Sequence, residues 1–280
     1  MGRRREVQQR LASLSEIDGI MVAMKNLALL ETHRLARFIE TQRRAVKSIE
    51  AAAADFLAFY PQAAAPGDSV QHMLMLVIGS ERGLCGDFNE KLLGPLAAAR
   101  QQADTLLVAV GRKLEAKLHD DADIAAFVEG PSVGEEVEAA LARLVEVLRD
   151  LQQQRPGQVW RINALYHDDE SAEPRLRQLL PLPTPAGRLA YSHEPLLNLE
   201  PAKFLSQLTD QYLYAALHEV FYASLMAENR MRLEHMDSAI RRLEKDEAKL
   251  RLRYNAVRQE EIIEEIEIIM LSAEALSDSV

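Results

Sequence analysis

Helix breakers are missing from both ends of this chain. No proline precedes Pro61 or follows Pro201, and no glycine follows Gly187. The two ends are therefore free to form long helices, with the breakers gathered between them. Cysteine is nearly absent as well. Cys85 stands alone, which excludes an intrachain disulfide and fits a reducing compartment. No stretch approaches the roughly 18 apolar residues that a membrane-spanning helix needs. The basic start, Met1 to Arg10, is followed by no apolar signal core. The seven histidines form no i,i+4 pair and no HExxH arrangement, so a metal site has no support. Positive charge is also short: the net charge is −10, which argues against general nucleic-acid binding.

What remains is a chain of 280 residues, 48% hydrophobic and 27% charged, long enough for one or two domains with a real core. Its charge is uneven. Residues 1–60 carry ten cationic against seven anionic groups, whereas residues 201–280 carry ten against 15. Opposite signs favour the two ends lying side by side. The boundaries divide the chain into an N-terminal helix (1–60), an α/β domain (61–200) and a C-terminal helix (201–280).

The first end reads as one helix over about 3–58. A 4-3 seam runs through Leu14, Ile17, Met21, Met24 and Ala28, then Leu35, Phe38, Ala45, Ile49, Ala52 and Phe56, interrupted at Glu31 and Gln42. A seam sustained this long is a coiled-coil pattern. Gly19 is its one flaw, at ~1 kcal/mol relative to alanine. The last end, about 203–276, repeats the pattern from Leu205 and Leu208 through Met236, Ile240, Leu243, Leu250, Tyr254 and Val257. It then shifts to Ile262, Ile266, Ile269, Ala273 and Leu276. At ~1.5 Å per residue the helices would run roughly 80 and 110 Å, too long for a compact domain. They are expected to pair with each other, to protrude, or both. The isoleucines of 262–269 cover most of the helix circumference, as in a helix enclosed by partners.

The middle alternates. Strands are expected at His72–Ile78, Thr105–Val110 and Val159–Tyr166, with another possible at Arg188–Ser192. Helices are expected at 90–102, 111–119 and 134–153. That alternation predicts a small α/β sheet.

The loop from Gly79 to Gly86 follows a strand and precedes a helix, where phosphate-binding loops sit. It lacks both the Gly-Lys-Ser/Thr ending and the GxGxxG spacing. A tight turn built on Gly83, Cys85 and Gly86 is the better reading. No histidine or acid has a motif relationship to Cys85, so a small structural residue is expected there rather than a nucleophile. Arg34, Arg37, Arg43, Arg44 and Lys47 form a basic stretch that reads as a solvated face or one meeting an acidic partner protein. Asp168, Asp169 and Glu170 read as a solvated turn.

Five pieces in register then carry a resemblance over essentially the whole chain. They are Arg10-Leu11-Ala12-Ser13-Leu14 with Ala23-Met24-Lys25; Ser80-Glu81-Arg82-Gly83-Leu84-Cys85-Gly86-Asp87-Phe88-Asn89; Gly111-Arg112-Lys113; Leu179-Leu180-Pro181-Leu182; and Glu228, Arg232, Met236, Asp237, Tyr254-Asn255, Arg258-Gln259 and Ala273-Glu274-Ala275-Leu276. Together they resemble the γ subunit of F-type ATP synthases. Asp87 stands where that family usually has glycine, and Asn26 to Glu31 replaces a small, basic stretch, as in a divergent branch.

The resemblance implies a fold: a long antiparallel coiled coil of the terminal helices with a small Rossmann-like α/β domain between them. It also implies a role. The shaft would pass through a hexamer of α and β subunits and rest, beside an ε subunit, on a membrane ring of c subunits. Proton or sodium flow would turn it, with no catalytic residue, cofactor, nucleotide or nucleic acid of its own. Arg258 and Gln259 would meet a loop of the β subunit as a catch, and Met24 and Lys25 would lie near its lever region. The family motif begins almost at residue 6, leaving no room for an organellar transit peptide. The expected location is peripheral, on the cytoplasmic side of a bacterial inner membrane. Two rival readings, a coiled-coil adaptor with an α/β head and an α/β enzyme with helical extensions, predict no α and β partners and turnover by the isolated chain, respectively.

Overall fold

A computed structural model describes residues 2–64, 71–100, 105–119, 123–155, 159–183 and 193–277. The terminal helices are α1 (Gly2–Phe59) and α5 (Pro201–Ser277), of 58 and 77 residues. Pro201 sits at the first helical position, where its missing N–H costs nothing. The chain divides into two compact units: Met1–Leu27 with Glu234–Val280, and Ala28–Leu233.

The smaller unit is an antiparallel helix pair. On α1 the buried or half-buried positions are Arg4, Val7, Leu11, Leu14, Asp18, Met21, Met24 and Lys25; on α5 from Met236 they are Met236, Asp237, Ala239, Ile240, Leu243, Glu247, Leu250, Tyr254, Val257 and Glu261. A step of four and three runs through both sets, with Met24, Asp237 and Ala239 flanking it, so each helix keeps one stripe toward its partner. Arg4 pairs with Glu261 at 3.1 Å and Lys25 pairs with Asp237, which sets the opposite directions of the two helices. On α1, Asp18 takes a seam position and Ile17 is exposed, one residue off the expected stripe. Ile262, Ile266 and Ile269, where the α5 seam is expected to shift toward partners, are exposed in this chain, beyond the point where Arg4 of α1 lies opposite Glu261.

The larger unit holds a five-stranded sheet in the order β3-β2-β1-β4-β5. Its strands are β1 (Gln71–Ile78), β2 (Thr105–Val110), β3 (Ile124–Val128), β4 (Val159–His167) and β5 (Pro174–Leu180). The first four in sequence are parallel, and β5 runs antiparallel to β4 at the edge. Helices α2 (Phe88–Arg100), α3 (Arg112–Leu118) and α4 (Val137–Gln154) make the crossovers. A 3-10 turn at Gly134–Glu136 precedes α4, so the helix expected over 134–153 begins at Val137.

Period-two alternation sends side chains to both faces. Leu74, Leu76 and Ile78 of β1 join Leu144 of α4, Leu35 and Ile39 of α1, and Phe221 of α5 in one core. Met75 and Val77 join Leu92 of α2 and Leu114 of α3 in the other. A sheet covered on both faces explains why its central strands read as unbroken apolar runs. Strands β3 and β5 add to those expected; Arg188–Ser192 lies outside the described residues.

In this unit the α1 stripe is Leu35, Ile39, Gln42, Val46, Ile49, Ala53 and Phe56. Phe38, Ala45 and Ala52 were expected in it and are exposed. The frame differs because Glu31 and Gln42 do not interrupt the seam; they belong to it. Glu31 accepts the Gly134 N–H, and Gln42 Nε2 donates to the Ala215 carbonyl at 3.1 Å. Satisfied polar groups are compatible with burial.

Candidate functional site

The turn after β1 is locked to α5 by a buried polar cluster. Arg232 donates from Nε to the Gly83 carbonyl at 3.3 Å and from Nη1 to Asn229 Oδ1 at 2.9 Å, and it pairs through Nη2 with Glu228 one helical turn away. Burial pushes the Glu228 carboxyl up to about 7, outweighing the attraction of Arg232. Ser80 is pinned in the same turn: its N–H donates to Asn89 Oδ1 at 3.0 Å, and its Oγ accepts from Asn89 Nδ2 at 2.8 Å. Ser224 Oγ donates to the Ile78 carbonyl at 3.3 Å, tying the strand end to α5.

The expected turn residues take different parts. Gly86 has φ +65°, a left-handed conformation that favours glycine. Gly83 lends its carbonyl to Arg232 and has room for a Cβ, 3.7 Å from Lys113 Cε. Cys85 is buried with Phe88, Ala227 and Met231, and burial pushes its thiol up, away from the reactive thiolate. At the carboxyl ends of β1 and β2, where an anion would be cradled, Glu81 supplies the negative charge itself. Its Oε2 accepts the N–H groups of Arg112 and Gly130 at 3.1 and 2.9 Å, and its Oε1 pairs with Arg112 Nε at 2.6 Å.

The β4–β5 turn is clamped to both long helices. Asp169 pairs with Arg43 of α1, and its carbonyl accepts from Arg230 of α5. Thus the turn expected to be solvated is buried at Asp169, and Arg43 finds its acidic partners in this chain. Burial raises the Asp169 carboxyl despite Arg43. Arg177 of β5 bridges Glu219 at 2.8 Å and Glu50 at 3.2 Å. His167 stands between the Ala172 and Phe88 carbonyls, at 2.8 Å from Nδ1 and 2.7 Å from Nε2. Burial lowers its pKa, while the two carbonyls pull the other way.

In the smaller unit the four expected contact residues fall on two surfaces. Met24 and Lys25 are half-buried on α1, and Lys25 is engaged by Asp237, whose carboxyl it holds below the usual range. Arg258 and Gln259 are exposed on α5, with no ion pair or hydrogen bond among the described residues. Sequence reasoning assigned no role to Glu228 or Arg232. The available signal was their i,i+4 spacing within a stretch of α5 that is otherwise mostly apolar.

These features can be set beside known proteins. A family model described as ATP synthase matches residues 3–276. An ATP synthase gamma chain from Heliobacterium modesticaldum is 26% identical over 289 residues, covering 97% of this chain and 98% of that one. One from Lachnoclostridium phytofermentans is 27% identical over 218 residues, covering 72% and 74%. Among solved structures, the rotor of Euglena gracilis mitochondrial ATP synthase in rotational state 1 aligns with TM-score 0.57 at 15% identity, covering 93% of this chain and 99% of that one. A chain from that synthase's OSCP/F1/c-ring in rotational state 3 aligns with TM-score 0.61 at 14% identity, covering 98% and 95%. At such identities the structural likeness speaks to fold.

Proposed function

The chain belongs to the ATP synthase γ-chain family, and from that premise we infer that it is the central rotor shaft of a rotary ATPase, coupling ion flow through a membrane ring to nucleotide chemistry in other subunits. It is a non-catalytic subunit. Residues 1–60 and 201–280 form the shaft, and residues 61–200 form the body attached to it. Its partners are the α and β subunits around the shaft, the c-ring below and an ε subunit beside the body. The site of action is the cytoplasmic face of a bacterial inner membrane. Attachment in this reading is peripheral, through the ring; no helix among the described residues is long and apolar enough to cross a membrane.

One observation carries this reading. Past Glu261, α5 continues to Ser277 with no other helix beside it among the described residues. Ile262, Ile263, Ile266, Ile268, Ile269 and Leu271 are exposed there, Ile268 at 66%. Contiguous apolar surface of this kind marks a protein interface, and residues on all sides of one helix call for a surrounding sleeve. The 4-3 seam below it supplies stiffness for torque.

The test is co-expression with the α and β subunits of the same organism, followed by sizing and ATPase assay. A stable complex with turnover is expected; no association would exclude the shaft and leave a coiled-coil adaptor. Within the complex, Arg258→Ala with Gln259→Ala is expected to lower ATP turnover at least tenfold while circular dichroism of the isolated chain stays unchanged. Coupled turnover at the normal rate would remove these two residues from the β-subunit contact.

A further inference from the structure

A cavity of about 230 Å³ opens in the larger unit between α1, the 3-10 turn at Gly134–Glu136, the start of α4, and α5. Nothing in the shaft reading uses it. His218 lines its floor, 9% exposed, with Nε2 shut off from solvent and without a hydrogen-bond partner. A buried polar atom left unpaired costs about 1–3 kcal/mol. The ring stands edge-on to Tyr214, with centroids 4.6 Å apart. Phe38 and Tyr222 stack along one wall at 5.9 Å, and Phe38 is 55% exposed at the rim.

The remaining wall is acidic. Glu31 is spent on the Gly134 N–H at 2.5 Å, and Glu135 pairs with Arg34 at 3.1 Å. Glu138 has no ion pair or hydrogen bond among the described residues. Its charge nevertheless bears on both His218 and Tyr222. Three carboxylates thus face one guanidinium. Burial holds the imidazole below its ordinary pKa, so His218 adds no positive charge to offset them.

We propose that this cavity receives the arginine side chain of a neighbouring protein subunit. Small-molecule sites enclose roughly 300–1,000 Å³, so a single side chain fits this space better than a nucleotide does. A guanidinium meets every demand of the lining. It is flat enough to slide against Phe38 and Tyr222. It carries donors for the Glu138 carboxylate. Once the ring turns about its soft terminal torsion, it also donates to the neutral nitrogen of His218. Lysine, a compact point charge, would satisfy the carboxylate but not the aromatic wall.

The neighbour is sought in the rotary assembly, and to that extent the proposal rests on the shaft reading. The test places the photo-crosslinking residue p-benzoylphenylalanine at position 38, where the exposed ring tolerates it, in the assembled complex purified through its β subunit. Irradiation is expected to join position 38 to one peptide of a different subunit, within about three residues of an arginine. Glu138→Gln, at an exposed position, is expected to cut that yield at least fivefold without changing how much of this chain co-purifies. No crosslink, a crosslink confined to this chain, a target without arginine, or a yield indifferent to Glu138→Gln would each overturn the proposal. Absence of this chain from the purified complex would instead overturn the shaft reading, and it is scored separately by gel.

Discussion

Glu228 is the residue on which the larger unit's pH response turns. It is 3% exposed, beside a guanidinium that stays charged at every working pH. Arg232 is also held by the Gly83 carbonyl and by Asn229, so it does not depend wholly on an ionised Glu228. Because burial raises the folded-state carboxyl to about 7, the folded chain keeps a proton that the unfolded chain releases above its ordinary value. The contribution to stability is then full below about pH 4.5 and is lost as pH rises through 7. Each tenfold difference in proton affinity between the folded and unfolded chain is worth about 1.4 kcal/mol, so the loss amounts to a few kcal/mol. His167 and His218, lowered by burial, act in the opposite direction, so only a difference curve isolates Glu228. Urea denaturation of the chain and of its Glu228→Gln variant between pH 5 and 8 is expected to show the variant gaining relative stability as pH rises. A constant difference would mean that Glu228 is ionised throughout. The sequence marks Glu228 and Arg232 by their i,i+4 spacing and their place in the family match, but not the burial that shifts the carboxyl, which only the packed structure supplies.

At the scale of elements, legibility follows burial and period. Strands β1, β2 and β4 are readable because burial on both faces leaves apolar runs with little else to form. Strand β5 is hidden because Pro174 opens it and Arg175 and Arg177 interrupt its leucines, a pattern suited to an edge. Strand β3 is short, with two alanines at its centre. Along α1, apolar residues are too plentiful to choose the frame. Phe38 and Ile39 both qualify, and the choice falls to Gln42, which reaches the Ala215 carbonyl only in the frame that buries Ile39 and Val46. Glycines show the same dependence on context. A Cβ at Gly19 would meet nothing within 4 Å, so Gly19→Ala is expected to raise helix stability by ~1 kcal/mol. At Gly79 a Cβ would collide with Leu114 and lie 2.8 Å from Asn89 Oδ1, so Gly79→Ala is expected to cost ~1–3 kcal/mol. Thermal melts of the two variants should move in opposite directions. A fall for Gly19→Ala would put unrecognised packing around that position.

For the whole molecule, the two compact units differ in how they are held. The larger one has a sheet with cores on both faces and a buried ion pair, Arg232 with Glu228. The smaller one has a single seam, interrupted by Asp18 on α1 and Glu247 on α5, with ion pairs of a half-exposed kind worth little each. Past Glu261 even that seam ends, and a helical run of about 16 residues alone in water is marginal. Hydrogen exchange should therefore be graded in the isolated chain. Amides of β1 and β2 are expected to exchange most slowly, those of α5 between Met236 and Val257 faster, and those from Ile262 to Ser277 fastest, since each opens at the cost of what local packing holds it. Assembly with α and β subunits should protect the last group by at least a hundredfold while leaving β1 and β2 unchanged, because the proposed sleeve would cover the isoleucines and leave the sheet alone. If the final segment exchanged as quickly in the complex as in the free chain, its isoleucines would be facing water in both, and the sleeve would have to lie elsewhere on the shaft.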